Sequence, residues 1–158
     1  NPRLNVRLEG FEGRAPLRVV VAGKSDLPES LNLFATTTDQ PAVIIAENTR
    51  LESFPQRADI IGVPGQDGRP DLGAALQALA FRGIGSVLVE GGAGLNDALL
   101  DAGLIDRFHF LEGDVEIGKN GIPATVHASL PERLAQLGFG VVESRALGCD
   151  MLTTFEKV

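Results

Sequence analysis

The chain has one cysteine, Cys149, in 158 residues. A lone thiol cannot build an intramolecular disulfide framework or a cysteine-rich zinc site, and it suits a reducing compartment, so a cytoplasmic location is expected. Histidine is nearly as scarce: His109 and His127 stand far apart, with no Ser/His/Asp ordering or metal-ligand spacing around either. Both are expected to be structural, and no metal is expected. Long apolar runs are missing too. None approaches the roughly 20 residues that cross a bilayer, and no charged-then-apolar leader opens the chain. Basic residues are in deficit, with 14 Lys+Arg against 21 Asp+Glu, a net charge of −7 and a pI near 4.8. The overall field repels polyanions, which disfavours nucleic acid or a membrane surface as a partner but leaves room for a local anion pocket. There is no internal repeat or low-complexity segment.

What is present suits one α/β domain: 44% hydrophobic residues and a mean hydropathy of +0.10 allow a substantial core. The chain starts at Asn1-Pro2 rather than Met, and is expected to be the remainder of a longer polypeptide. Leu4, Val6 and Leu8 alternate with Asn5 and Arg7, the period of a half-buried strand with Arg7 on its polar face. A turn-rich connector, Gly10 to Pro16, leads to the apolar run Leu17 to Ala22, which suits a strand covered on both faces of a mostly parallel sheet. Pro41 to Ala46 and Ala58 to Val63 repeat that signal. Asp71 then caps a helix whose apolar residues, Leu72, Ala75, Leu76 and Leu79, lie on one face, with Gly83 placed to end it. Ser86 to Val89 reads as a strand, and Leu95, Ala98, Leu99 and Ala102 as a helix stopping at Gly103. With Ile105 to Leu111 as the next strand, this stretch predicts a right-handed β-α-β crossover. Ser129-Leu130-Pro131-Glu132 has the form of a capping box opening a helix to Leu137, and Phe139 to Arg145 with Asp150 to Lys157 predicts an antiparallel hairpin turning through Leu147-Gly148-Cys149. The expected fold is a central, mostly parallel sheet flanked by helices and closed by that hairpin.

The most informative stretch is VLVEGGAGLN, Val87 to Asn96, where an apolar run meets three glycines in four positions and then a helix. In open α/β sheets a glycine-rich turn brings backbone close to a phosphate, and the following helix presents free N–H groups. Gly91-Gly92-Ala93-Gly94 is neither a GxGxxG fingerprint nor a P-loop with its Lys. Taken by spacing alone, two readings stand: a tight turn with Glu90 solvated at its mouth, or an anion loop with Glu90 accepting hydrogen bonds from a ligand's hydroxyl or amine.

The segment ending at Phe108, SVLVEGGAGLNDALLDAGLIDRF, resembles the signature of the reductase domain of the riboflavin-biosynthesis deaminase/reductase, whose fold is dihydrofolate reductase-like. Asn1-Pro2-Arg3-Leu4-Asn5-Val6-Arg7, the run Leu17 to Ala22 and the late segment Cys149-Asp150-Met151-Leu152 fall in the family's order, so the resemblance spans essentially the whole chain. It implies NADPH-dependent reduction of 5-amino-6-(5-phosphoribosylamino)uracil, in its ring-opened form, to the ribitylamino product, by a cytoplasmic homodimer. It further implies that Glu90, Arg7 and Leu4 meet the substrate, and that Gly92, Ala93, Gly94, Leu95, Asn96, Asp97 and Ala98 line the cofactor's phosphates. Arg7 is a fork-shaped donor suited to a phosphate, though without the resemblance it reads as a surface arginine and Leu4 as core. Asp97 suits the helix dipole but would repel a phosphate, so its side chain is expected to turn away.

The chain departs from the family at several places. The upstream strand and Gly/Ser/Thr-bearing segment that help to hold nicotinamide and substrate are not in it, Ala22-Gly23 replaces a common polar pair, and Glu112-Gly113-Asp114 stands where Pro is common. The zinc deaminase elements H-x-E and P-C-x-x-C are absent from the sequence. Asp106 and Cys149 read as a local cap and an ordinary thiol. No proton donor is identified; hydride transfer to an imine calls for positioning and charge stabilisation more than for a covalent nucleophile. Two alternatives remain: a dihydrofolate reductase-like enzyme acting on another pterin or pyrimidine, and a relative that binds a nucleotide without turnover.

Overall fold

Three apolar runs in the first half of the chain become parallel strands: β1 (Arg18–Val21), β2 (Ala42–Glu47) and β3 (Asp59–Val63), in the order β1-β2-β3. The computed structural model describes residues 3–32, 34, 42–54, 59–126 and 129–158, which fall into two units, Asn1–Ser86 and Val87–Val158.

In the first unit β2 is the middle strand, and its residues alternate between two cores because successive side chains leave a strand on opposite faces. Ala42, Ile44 and Ala46 pack with Ala22, Phe34 and Phe54, whereas Val43 and Ile45 pack with Val63, Ala75 and Leu79. An unbroken apolar run is the sequence of a strand buried on both sides. Helix α1 (Leu72–Phe81) covers the second face. The Asp71 carboxylate accepts from the Ala74 N–H at 2.7 Å, as a capping residue should. At the other end Gly83 takes φ +79° and Ile84 N–H returns to the Leu79 carbonyl at 3.2 Å, closing the helix. A small hairpin unforeseen from the sequence, β4 (Gly65–Gln66) with β5 (Arg69–Pro70), turns at Asp67-Gly68, both at positive φ. That Asp-Gly pair is itself a hairpin signal.

One ion pair here makes acid stability testable. Arg82, just past α1, pairs with Asp59 at the start of β3, and the hydrogen bond from Arg82 holds the Asp59 carboxyl below its ordinary range. A depressed carboxyl pKa contributes stability above the unfolded value and loses it as pH falls through the folded one. Both side chains are substantially exposed, so the effect is small. Asp59→Asn is expected to melt slightly below the parent at neutral pH, with the gap closing below about pH 4. Thermal midpoints of both proteins across that range check it.

In the second unit α2 (Ala93–Asp101) precedes β6 (Arg107–Glu112), α3 (Leu130–Gln136), β7 (Phe139–Leu147) and β8 (Asp150–Lys157). The last two form the expected antiparallel hairpin, turning at Gly148-Cys149, and β6 joins the free side of β8 antiparallel, giving the order β6-β8-β7. Leu100, Leu130, Leu134, Phe139 and Phe155 make the core, with Ile105, Phe108 and Phe110 against it. The molecule is therefore α/β, with a parallel sheet and an antiparallel hairpin.

Three local expectations are corrected. Leu4 to Leu8 is not a strand: Leu4 takes φ +50°, outside the extended region, and Leu8 is 74% exposed. Ser86 to Val89 is not a strand either. Residues 84–92 carry no helix or strand, Leu88 is 76% exposed, and the β-α-β crossover through this run is not formed. Apolar patterning is permissive for a strand, but pairing of its backbone groups makes one. Finally, α3 forms where expected, yet Ser129 makes no side-chain cap bond and sits at φ +38°, so the capping box is not closed.

Candidate functional site

Glu90 is exposed and leads through Gly91 to Gly92, the capping residue of α2. The Gly92 carbonyl accepts from Leu95 and Asn96 N–H, each at 3.1 Å, and no side chain caps the first turn. The helix start therefore presents donor groups that its own side chains leave to other acceptors.

The three glycines are not equivalent. A Cβ on Gly91 would lie 2.8 Å from Leu95 Cδ2, so a larger residue there would force the Leu95 side chain to shift. A Cβ on Gly92 or Gly94 would meet nothing within 4 Å, and neither has a positive φ. Among the described residues of its unit, nothing demands glycine at these two positions. Bare backbone beside open space is what close approach by a phosphate requires, so the residues present fit a nucleotide's phosphates.

The side chains after them divide the work. Asp97 is 5% exposed, and its Oδ2 accepts from Val126 N–H at 2.6 Å while Oδ1 pairs with Arg133 of α3. The other arm of Arg133 reaches Asp101 at 2.6 Å. Asp97 thus turns toward α3, as the repulsion argument anticipates. Asn96 Nδ2 donates to the Ala124 carbonyl at 3.4 Å. Leu99 and Leu100 are buried, and Leu100 belongs to the core.

Of the other expected site residues, Leu4 and Arg7 belong to the first unit, Leu4 half-buried against the Ile44 face and Arg7 exposed. His109 Nδ1 lies 3.1 Å from Thr154 Oγ1 across β6 and β8, a structural contact. His127 lies outside the described residues. Among the described residues no cluster of His, Cys, Asp and Glu could hold a metal ion. No helix of the structure, among those residues, is long and apolar enough to cross a membrane.

Sequence reasoning missed two arginines. Arg133 was signalled indirectly, since Asp97 and Asp101 are like charges four apart on one helix face and call for a cation from elsewhere. Arg50 follows β2 and ties down the segment after β1: its guanidinium donates to the Gly23 carbonyl, pairs with Asp26 at 3.1 Å and lies 5.3 Å over the Phe54 ring. Nearby, Glu47 at the end of β2 accepts from Gly68 N–H at 2.5 Å. The carboxyl ends of β1 and β2, the edge where parallel sheets receive ligands, are thereby braced.

Comparison with known proteins decides the family. Residues 1–153 match the family described as the RibD C-terminal domain. The chain belongs to that family. The riboflavin biosynthesis protein RibD of Actinobacillus pleuropneumoniae is 31% identical, over 69% of this chain and 30% of its own length. The 2,5-diamino-6-ribosylamino-4(3H)-pyrimidinone 5′-phosphate reductase of Aquifex aeolicus is 29% identical over the whole chain and 71% of its own length. A solved deaminase/reductase from Thermotoga maritima superposes with a TM-score of 0.74 and 24% identity, covering 99% of this chain and 41% of that one, a likeness of fold. The chain thus spans under a third of the Actinobacillus relative and less than half of the Thermotoga protein.

Proposed function

We propose that residues 1–158 act as an NADPH-dependent reductase domain of riboflavin biosynthesis, converting 5-amino-6-(5-phosphoribosylamino)uracil to its ribitylamino product. The observation that carries this reading is the start of α2, an uncapped helix preceded by Glu90, with two glycines that face open space and that nothing among the described residues of its unit requires. Membership of the RibD C-terminal domain family supports it, as do relatives named as the corresponding pyrimidinone phosphate reductase. A cytoplasmic homodimer is part of the same reading, carried over from the family.

On this reading the free N–H groups at Gly92 to Gly94 donate to the cofactor's phosphates while Leu95 to Ala98 line the same turn, Arg7 holds the substrate phosphate as a bidentate fork, and Leu4 lines the substrate pocket beside it. Glu90 orients the substrate by accepting from its hydroxyl or amine groups. NADPH, when bound, would supply a hydride for reduction of the C=N bond of the ring-opened substrate, with solvent as the source of the accompanying proton. Because the hydride would come from the cofactor, the chain's task is positioning.

The test is NADPH oxidation by the full-length protein, followed by absorbance, with two substrates offered separately: the uracil compound above and its 2,5-diamino-pyrimidinone counterpart. Oxidation with the uracil compound, and weaker use of NADH, is the expected result. Turnover of the diamino compound alone would move the substrate to the one in the Aquifex relative's name. Binding of NADPH without oxidation on either would replace the enzyme by a nucleotide-binding relative.

A further inference from the structure

Arg133 lies at the meeting point of three pieces of the second unit, and its geometry exceeds what packing alone needs. Its side chain, 11% exposed, forks between Asp97 and Asp101, which lie one turn apart on α2. Asp97 is the buried member of that pair, and its second oxygen is already committed to Val126 N–H. A buried carboxylate five residues from Gly92 is an odd choice if anions approach the start of that helix. No basic residue lies in α2 to offset it, since the helix reads AGLNDALLD. The offset comes from α3 instead.

We infer that Arg133 is a positioning residue for the nucleotide end of α2: its guanidinium cancels the Asp97 carboxylate and, through it, fixes the Ala124–Val126 segment against the same turn. This rests on the reductase reading, which puts the cofactor's phosphates at Gly92 to Ala98. Two independent contacts bring the segment to α2, the Asp97 bond to Val126 and the Asn96 bond to Ala124. With the guanidinium gone, the Asp97 carboxylate loses its partner and is left to oppose the bound phosphates. With both charges gone, an amide pair can hold the segment, and the exposed Asp101 leaves the trio with the same net charge as in the parent.

The experiment uses NADPH titrations on the full-length parent, Asp97→Asn, Arg133→Gln, Arg133→Lys and the double variant Asp97→Asn/Arg133→Gln, each checked for folding by its melting curve. Arg133→Gln is expected to weaken NADPH binding about tenfold, the scale of one unpaired charge near an anion in a partly screened site. Asp97→Asn, which removes the charge but also one of the two acceptor oxygens, is expected to bind within about threefold of the parent, and the double variant to recover to the same range. In Arg133→Gln the turnover number at saturating NADPH should change little. A merely structural contact predicts the opposite, with the double variant no better than Arg133→Gln. Unchanged affinity in Arg133→Gln, or no recovery in the double variant, overturns the inference. Should Arg133→Gln fail to fold, Arg133→Lys carries the test, because it keeps the charge and must hold NADPH affinity within about threefold while losing the fork. If the parent binds no NADPH, the reductase reading fails on its own. The pair is then judged by inorganic pyrophosphate binding measured calorimetrically, where the same ranking of variants upholds it and its absence overturns it.

Discussion

Glu90→Gln is expected to lower turnover by tenfold or more while leaving NADPH affinity and the melting temperature almost unchanged. The substitution keeps the size and shape of the side chain but removes the charge-assisted part of its hydrogen bonds to substrate, which is worth about 1.5–3 kcal/mol when one partner is ionised. At roughly 1.4 kcal/mol per decade that is a loss of about tenfold to a hundredfold. Stability should not follow, because Glu90 is exposed and lies outside any helix or strand. The competing view, in which Glu90 is a solvated residue at the mouth of a tight turn, predicts unchanged kinetics. Steady-state rates and thermal midpoints on the same preparations separate the two, and unchanged turnover would remove this carboxylate from the substrate site.

The largest effect on stability is expected at the centre of the parallel sheet. Ile44 has no exposed surface and sits on the middle strand among Ala22, Phe34 and Phe54. Ile44→Ala removes three buried carbons and leaves a cavity that a sheet paired on both sides cannot easily close, at a cost of about 2–5 kcal/mol. For a chain of this length that corresponds to a drop in melting temperature of roughly 5–15 °C. Phe81, at the end of α1 and 92% exposed, supplies the control: Phe81→Ser is expected to change stability by less than about 0.5 kcal/mol. Comparable losses in the two variants would mean that Ile44 is not buried as described.

Much of the candidate site was legible because its signals are short-range. The glycines before Leu95, the carboxylate ahead of them and the helix after them lie within ten residues, and each has a local physical meaning. The reason Gly91 differs from Gly92 and Gly94 was not legible. All are the same letter, and only the position of the Leu95 side chain shows which glycine serves packing. The sequence reading expected the Asp97 side chain to turn from a phosphate at the helix start, but its partner, Arg133, lies 36 residues away and on another helix.

The same division runs through the fold. By itself the sequence determined the elements whose stabilising groups are neighbours in the chain: α1 from the Asp71 cap to Gly83, α2 ending before Gly103, the β7–β8 hairpin around Gly148, and a strand in the run Pro41 to Ala46; that this strand, and not the run Leu17 to Ala22, is the middle one came from the fold. Beyond that hairpin, tertiary structure alone decided which strands pair. Leu4 to Leu8 and Ser86 to Val89 have the composition of strands and are not strands in this structure, whereas β6 joins β8 in antiparallel register with Phe108 opposite Phe155. A helix satisfies its backbone within its own residues and so can be read from them, but a strand's hydrogen bonds, like the charge on Asp97, are completed by groups that only the folded chain brings near.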